Sequence, residues 1–120
     1  MIRDITLYLS DILINMAEAR NFIGSMTYDE FTADRKTTYA VVRCLEIIGE
    51  AAKNVPEEIR ISCPAVPWKL MAGMRDKCIH AYFGVKFKTV WEAVKNEIPP
   101  IEPLIASLLE DLRKSGKFEM

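Results

Sequence analysis

Histidine is nearly absent from this 120-residue chain, which holds one, His80. Glycine and proline are scarce, at five and six, and that leans the chain towards helices, because these residues punctuate regular structure. Cysteine is limited to Cys44, Cys63 and Cys78, an odd set with no Cys-x-x-Cys pair and no metal-ligand spacing. Together with the single histidine this argues against a zinc site, and no metal or other cofactor is expected. Reduced cysteines in or near a core are the ordinary reading, and a cytoplasmic setting follows from it. There is no basic-then-apolar leader and no apolar run of spanning length, so neither a signal peptide nor a membrane partner is expected. Period-2 alternation is missing, and with it any strand pattern. Charge of one sign is missing too. Sixteen Lys and Arg face 17 Asp and Glu, for a net charge of −1, which argues against an all-over nucleic-acid-binding surface.

Half of the residues are apolar, enough for one globular domain with its own core. The apolar residues step at helical intervals. Ile2, Ile5, Leu9, Ile12, Met16, Ala19 and Ile23 form one seam, predicting a helix over 2–23 that ends at Gly24. Thr27 with Glu30 reads as a capping box, and Met26 can staple onto Phe31. The helix it opens is expected to reach about Val55, with a break near 33–35. Val41, Leu45, Ile48, Ala52 and Val55 form one stripe of it, and Ala40, Cys44, Ile47 and Ala51 a second. Two adjacent stripes predict a central helix. Gly49 inside it costs about 1 kcal/mol relative to alanine, which predicts a close helix crossing there. Arg43, Glu46 and Glu50 read as a solvated charge strip at i,i+3/i+4 spacing.

Pro56 breaks that helix and starts a short turn, and 61–66 read as a connector. Pro67 suits a helix start, and the helix is expected to run from Trp68 to about Tyr82 and stop at Gly84. Thr89 with Glu92 reads as another capping box, leading a short helix that Pro99-Pro100 ends. Ile101, Leu104, Ile105, Leu108, Leu109 and Leu112 make the last amphipathic helix, its early Pro103 tolerable only in the first turn. The fold class is all-α, a small bundle of four to five helices over 1–113, with a flexible tail at 114–120.

The chain is organised around Met71-Ala-Gly-Met-Arg-Asp-Lys-Cys-Ile-His-Ala-Tyr-Phe-Gly84. Within 67–88 the cations Lys69, Arg75, Lys77, Lys86 and Lys88 face one acid, Asp76, so this stretch carries +4 and the remainder −5. Basic charge therefore gathers around the histidine. Histidine trades protons near neutral pH, and the planar fork of arginine suits phosphate oxygens. Proton transfer plus phosphate clamping equips a chain for phosphoryl chemistry without a metal. Five residues of ideal helix turn through about 500°, so Arg75 and His80 do not share a face, whereas Asp76 and His80 do. The long arginine stem, a loosened helix or a second chain can bring them together. RNA cleavage by its 2′-hydroxyl uses a base and often an acid, and a twofold dimer offers two histidines. On composition and spacing alone, a lone histidine such as His80 is more often a surface or hydrogen-bonded structural residue than a catalytic one, and Tyr82 more often a core or interface aromatic than a modified residue.

Arg75-Asp-Lys-Cys-Ile-His-Ala-Tyr82 resembles the Arg-x4-His-x-Tyr signature of HepT-like proteins, a branch of the HEPN superfamily. Arg43-Cys-Leu-Glu-Ile-Ile-Gly-Glu-Ala-Ala52 resembles the central-helix segment of that family. The opening helix, the Tyr82-Phe83-Gly84 exit and the Val90-Trp91 helix also fit, so the resemblance covers about 1–112. It implies a homodimeric, metal-independent endoribonuclease, the toxin of a toxin–antitoxin pair, with two motifs facing each other across a cleft. Arg75 would then hold phosphate, His80 would transfer protons and Asp76 would orient one of them. Tyr82 matches the tyrosine that a MntA-like nucleotidyltransferase partner modifies with AMP. Lys69, Lys77, Lys86 and Lys88 become candidate RNA contacts. A reading from another class stays beside it: a non-catalytic helical dimer that binds a nucleotide or a partner protein.

Overall fold

In the computed structural model, which describes residues 4–76, 78 and 87–115, helix α1 (Ile5–Ile23) begins later than the expected residue 2, because the Asp4 carboxylate caps it by accepting the Thr6 amide at 2.8 Å. It ends where Gly24 takes a positive φ of 51° and donates its amide to the Arg20 carbonyl, a conformation that glycine adopts at no steric cost. Leu9, Ile12, Met16, Ala19 and Ile23 of the α1 seam are buried. Each large aliphatic side chain removed from water in this way contributes about 1.5–3 kcal/mol.

Helix α2 (Tyr28–Ala33) starts with the full Thr27–Glu30 capping box, both reciprocal bonds being made at 2.9 and 3.1 Å. The chain breaks at Asp34, inside the expected interval, and the Asp34 carboxylate caps α3 (Arg35–Asn54) by accepting the Thr37 amide at 3.1 Å. Helix α3 is central. Its chief stripe, Val41, Leu45, Ile48 and Ala52, is buried against α1 and α5, with Val55 buried just beyond its end. The second stripe is covered less completely: Cys44 and Ala51 are buried, whereas Ala40 and Ile47 are only partly so.

Helix α4 (Glu57–Ser62) takes in two residues expected in the connector, Ile61 and Ser62. Pro67 caps α5 (Trp68–Ala72) instead of forming its first turn. The long helix expected from Trp68 is interrupted at Gly73, after which residues 74–76 and 78 are helical again. The end expected at Tyr82–Gly84 lies outside the described residues.

Two expectations for the C-terminal third are corrected. Thr89 lies inside α6 (Phe87–Glu92) and does not cap it, because the helix already begins at Phe87. Pro99-Pro100 does not end a helix either. A π-helical turn, Ala93–Glu97, follows α6, and the Ile98 amide bonds back to the Ala93 carbonyl. Helix α7 (Ile98–Ser115) then follows without a break, with both prolines in its first turn. Pro103 consequently falls inside α7, beyond its first turn, on an exposed face. The helix continues through Lys114 and Ser115, and the rest of the expected tail lies outside the described residues.

Helix α7 lies along α1, burying Ile98, Ile101, Ile105, Leu108, Leu109 and Leu112. Arg20 grips Glu102 with two hydrogen bonds, one of them from Nη2 at 2.9 Å, tying the two helices at their rim. The result is an elongated bundle of 46 × 25 × 25 Å with no strand among the described residues. None of the described helices is long and apolar enough to cross a membrane.

Candidate functional site

Gly49 builds the site from below. A Cβ on this residue would meet the Arg75 amide nitrogen at 3.0 Å, the Arg75 Cβ at 3.1 Å and the Ala72 carbonyl oxygen at 3.2 Å. The close crossing expected at Gly49 is therefore there, and what crosses is the backbone that carries Arg75. Buried Met71, Met74 and Cys78 hold the same segment against the core, and the Cys78 thiol donates to the Val42 carbonyl at 3.4 Å.

With its backbone seated on α3, Arg75 extends its side chain over the next residue of that helix. Arg75 Nη1 donates to Glu50 Oε2 at 3.0 Å, with the two side chains 49% and 60% exposed. Both line an open groove of about 320 Å³ between α1 and α3, together with Tyr8 and Asp11 of α1 and Arg43, Glu46, Ile47, Ala51 and Asn54 of α3. Asn54 Nδ2 donates to the Glu50 carbonyl at 2.9 Å, and Asn15 Nδ2 to the Asp11 carbonyl at 2.8 Å. Three carboxylates and two guanidiniums thus share the walls. The groove is polar and mixed in charge, able to hold a phosphate at an arginine but disfavouring polyanions along its whole length.

The other described candidates are scattered. Asp76 is exposed and does not line this groove; the carboxylate bonded to Arg75 here is Glu50. Lys69 lines a separate hollow of about 480 Å³ between α4 and α5, with Glu57, Arg60, Ile61, Trp68 and Ala72. Lys88 lies over the Tyr28 ring, its Nζ 4.8 Å from the centroid. His80, Tyr82, Lys77 and Lys86 lie outside the described residues. Among the described residues no group of three or more His, Cys, Asp or Glu side chains is arranged to hold a metal ion.

The Arg43/Glu46/Glu50 strip was legible as a charged face but not as a groove wall. Its signal was the strip's place beside the second apolar stripe. Ile47 of that stripe stays partly exposed and lines the groove, with buried Ala51 beside it. Tyr8 and Asp11 gave no signal of their own.

The family model described as "Ribonuclease HepT-like" matches residues 12–108, which include every groove residue except Tyr8 and Asp11. Among curated proteins, "Putative RNase MJ1216" of Methanocaldococcus jannaschii is 50% identical over 117 residues, covering 98% of this chain and 95% of that one. "Putative RNase MJ0125" of the same organism is 49% identical, covering 93% and 97%. "Probable ribonuclease HepT" of Thermococcus cleftensis is 44% identical, covering 89% and 94%. No solved structure matches the chain.

Proposed function

The chain belongs to the HepT-like ribonuclease family, and on that footing we propose that it is a metal-independent endoribonuclease, the toxin of a toxin–antitoxin pair. The observation that carries the reading is Arg75: a half-exposed guanidinium in an open groove, on a backbone that Gly49 admits close to α3. A permanent cation so mounted suits the phosphate of an RNA backbone and the extra negative charge that develops on it during cleavage.

Cleavage proceeds by attack of the ribose 2′-hydroxyl on the adjacent phosphorus. The P–O5′ bond breaks, leaving a cyclic phosphate on one fragment and a 5′-hydroxyl on the other. His80 takes the proton from the 2′-oxygen or returns one to the leaving oxygen. One histidine per chain supplies one of these transfers, so a homodimer with facing motifs supplies both. Asp76, next to Arg75 in sequence, orients one of the two. Lys69, Lys77, Lys86 and Lys88 add charge along the RNA.

The antitoxin in this reading is a MntA-like nucleotidyltransferase that joins AMP to the Tyr82 hydroxyl. The adduct adds bulk and negative charge near the motif, which repels RNA phosphate. Both proteins act in the cytoplasm.

One feature favours a second reading. The carboxylates of the groove outnumber its arginines, which suits a compact nucleotide or a partner protein better than a polyanion. The experiment that separates the two is RNA cleavage in EDTA by unmodified wild type and by His80→Ala. Cleavage by wild type alone supports the nuclease. Equal cleavage by both marks a contaminant, and tight nucleotide binding without any cleavage supports the binding module. An intact-mass measurement for an AMP adduct accompanies the assay, because an adduct silences an otherwise competent protein.

A further inference from the structure

Two consecutive residues of α3 hold the two ends of Arg75. Gly49 lets the backbone approach to where a Cβ would stand 3.0 Å from the Arg75 amide nitrogen. Glu50 takes the other end, its Oε2 accepting from Arg75 Nη1 at 3.0 Å. An arginine side chain has four rotatable bonds, and a half-exposed one samples many rotamers unless something fixes the tip. One bond through Nη1 uses one of five N–H donors. It leaves the Nε/Nη2 edge, which is the edge that matches two phosphate oxygens.

We infer that Glu50 is the positioning residue for Arg75: its carboxylate fixes the guanidinium in the α1/α3 groove so that the Nε/Nη2 edge faces the phosphate being cleaved. The inference rests on the ribonuclease reading above. It assigns the Glu50 charge a role that stability does not explain, because ion pairs between exposed side chains contribute little to folding. It also gives that charge two opposed effects. A fixed guanidinium favours the transition state, whereas a carboxylate in the groove repels the RNA backbone in the ground state.

The test compares wild type with Glu50→Ala and Glu50→Gln on a short RNA, alongside Tm. The expected result for Glu50→Ala is a kcat lower by about 10- to 100-fold, the scale of a misplaced reacting group, with KM unchanged or lower and Tm unchanged. Glu50→Gln, which keeps an acceptor oxygen for Nη1, recovers part of kcat. A Glu50→Ala kcat equal to wild type overturns the inference, as does a loss that tracks a fallen Tm with no recovery in Glu50→Gln. Failure of the ribonuclease reading looks different: wild type itself leaves RNA intact, or cleaves it no better than His80→Ala. In that case phenylglyoxal labelling of Arg75, read by peptide mass spectrometry, still decides whether Glu50 holds it. Labelling several-fold faster in Glu50→Ala than in wild type supports the hold, and equal rates overturn it.

Discussion

Gly49 lies so close beneath Arg75 that a methyl group on its α-carbon would stand 3.0 Å from the Arg75 amide nitrogen, tight enough to push one backbone off the other. Replacing it by alanine sets two effects against each other. Alanine favours a helix interior over glycine by about 1 kcal/mol. Its Cβ, however, would meet the Arg75 amide nitrogen at 3.0 Å and the Ala72 carbonyl oxygen at 3.2 Å. Both are backbone atoms that cannot rotate aside, and forcing an extra methyl into packed structure costs about 1–3 kcal/mol. The clash wins, so Gly49→Ala is expected to lower stability by about 1 kcal/mol in urea unfolding at unchanged m-value. RNA cleavage is expected to fall by more than the unfolded fraction accounts for, because the segment that moves carries Arg75.

Gly73 is the contrasting case. It sits at φ −73° and ψ −10°, a conformation open to any residue. A Cβ there meets the Leu70 and Lys69 carbonyl oxygens at 3.4 Å, an ordinary contact. Gly73→Ala restricts the unfolded chain without straining the folded one, so a gain of about 0.4–1 kcal/mol is expected, read as a raised Tm. A Tm that falls as it does in Gly49→Ala would show that the α5 exit is packed as tightly as the crossing.

What the sequence could show follows from the range of the forces involved. The α1 seam from Leu9 to Ile23, the Thr27–Glu30 cap and the Gly24 stop are local, each written within a few residues, and they stand where the pattern predicted them. Two neighbouring stripes on α3 implied a central helix, and Gly49 in mid-helix implied a crossing. Neither could name the partner, since Arg75 is 26 residues away. The prolines misled for a related reason. Pro99-Pro100 is a helix stop or a helix start according to what precedes it, and a π-helical turn leaves no mark in the hydrophobic pattern. Arg75 was legible as a candidate by its chemistry and its motif. Its bond to Glu50 was not, because a polar strip that faces solvent and one that lines a groove have the same spacing.

Cys44 gives a prediction with a pH sign. Burial, and secondly the negative charge of Glu18, push its thiol up to about 11 from an ordinary 9.0. The folded state therefore keeps the proton that the unfolded state releases first. Stability from this source is intact below pH 9.0 and is lost as pH rises from there towards 11. Other groups titrate in the same window, so the measurement is a difference: the unfolding free energy of wild type minus that of Cys44→Ala should decline across it. In the native protein at pH 8, a thiol reagent should reach partly exposed Cys63 well before buried Cys44 and Cys78. A flat difference, or equally fast labelling of all three, would count against the buried neutral thiol.

The charge of the groove makes its own prediction, independent of whether Glu50 positions Arg75. If RNA runs between α1 and α3, its phosphates pass the Arg43 guanidinium and the Glu46 carboxylate, which share the groove wall with Arg75. Opposite changes at these two residues should then act in opposite directions. Arg43→Ala removes a counterion-displacing cation, so it should weaken binding and reduce the slope of log K against log salt by about 0.7, the value for one contact to a single strand. Glu46→Gln removes a repelling charge while keeping the side-chain shape. It should tighten binding about 2- to 5-fold at low salt, with the gain fading as the Debye length falls to about 3 Å at 1 M. Fluorescence anisotropy with a labelled RNA measures both, in a His80→Ala background so that cleavage does not interfere. A distant RNA path would leave both variants like their parent. A nucleotide pocket would show the same opposed changes for a mononucleotide but none that scales with RNA length. The dependence on length therefore separates the two readings of the groove, because only a polyanion adds a phosphate contact with each nucleotide that the groove can reach.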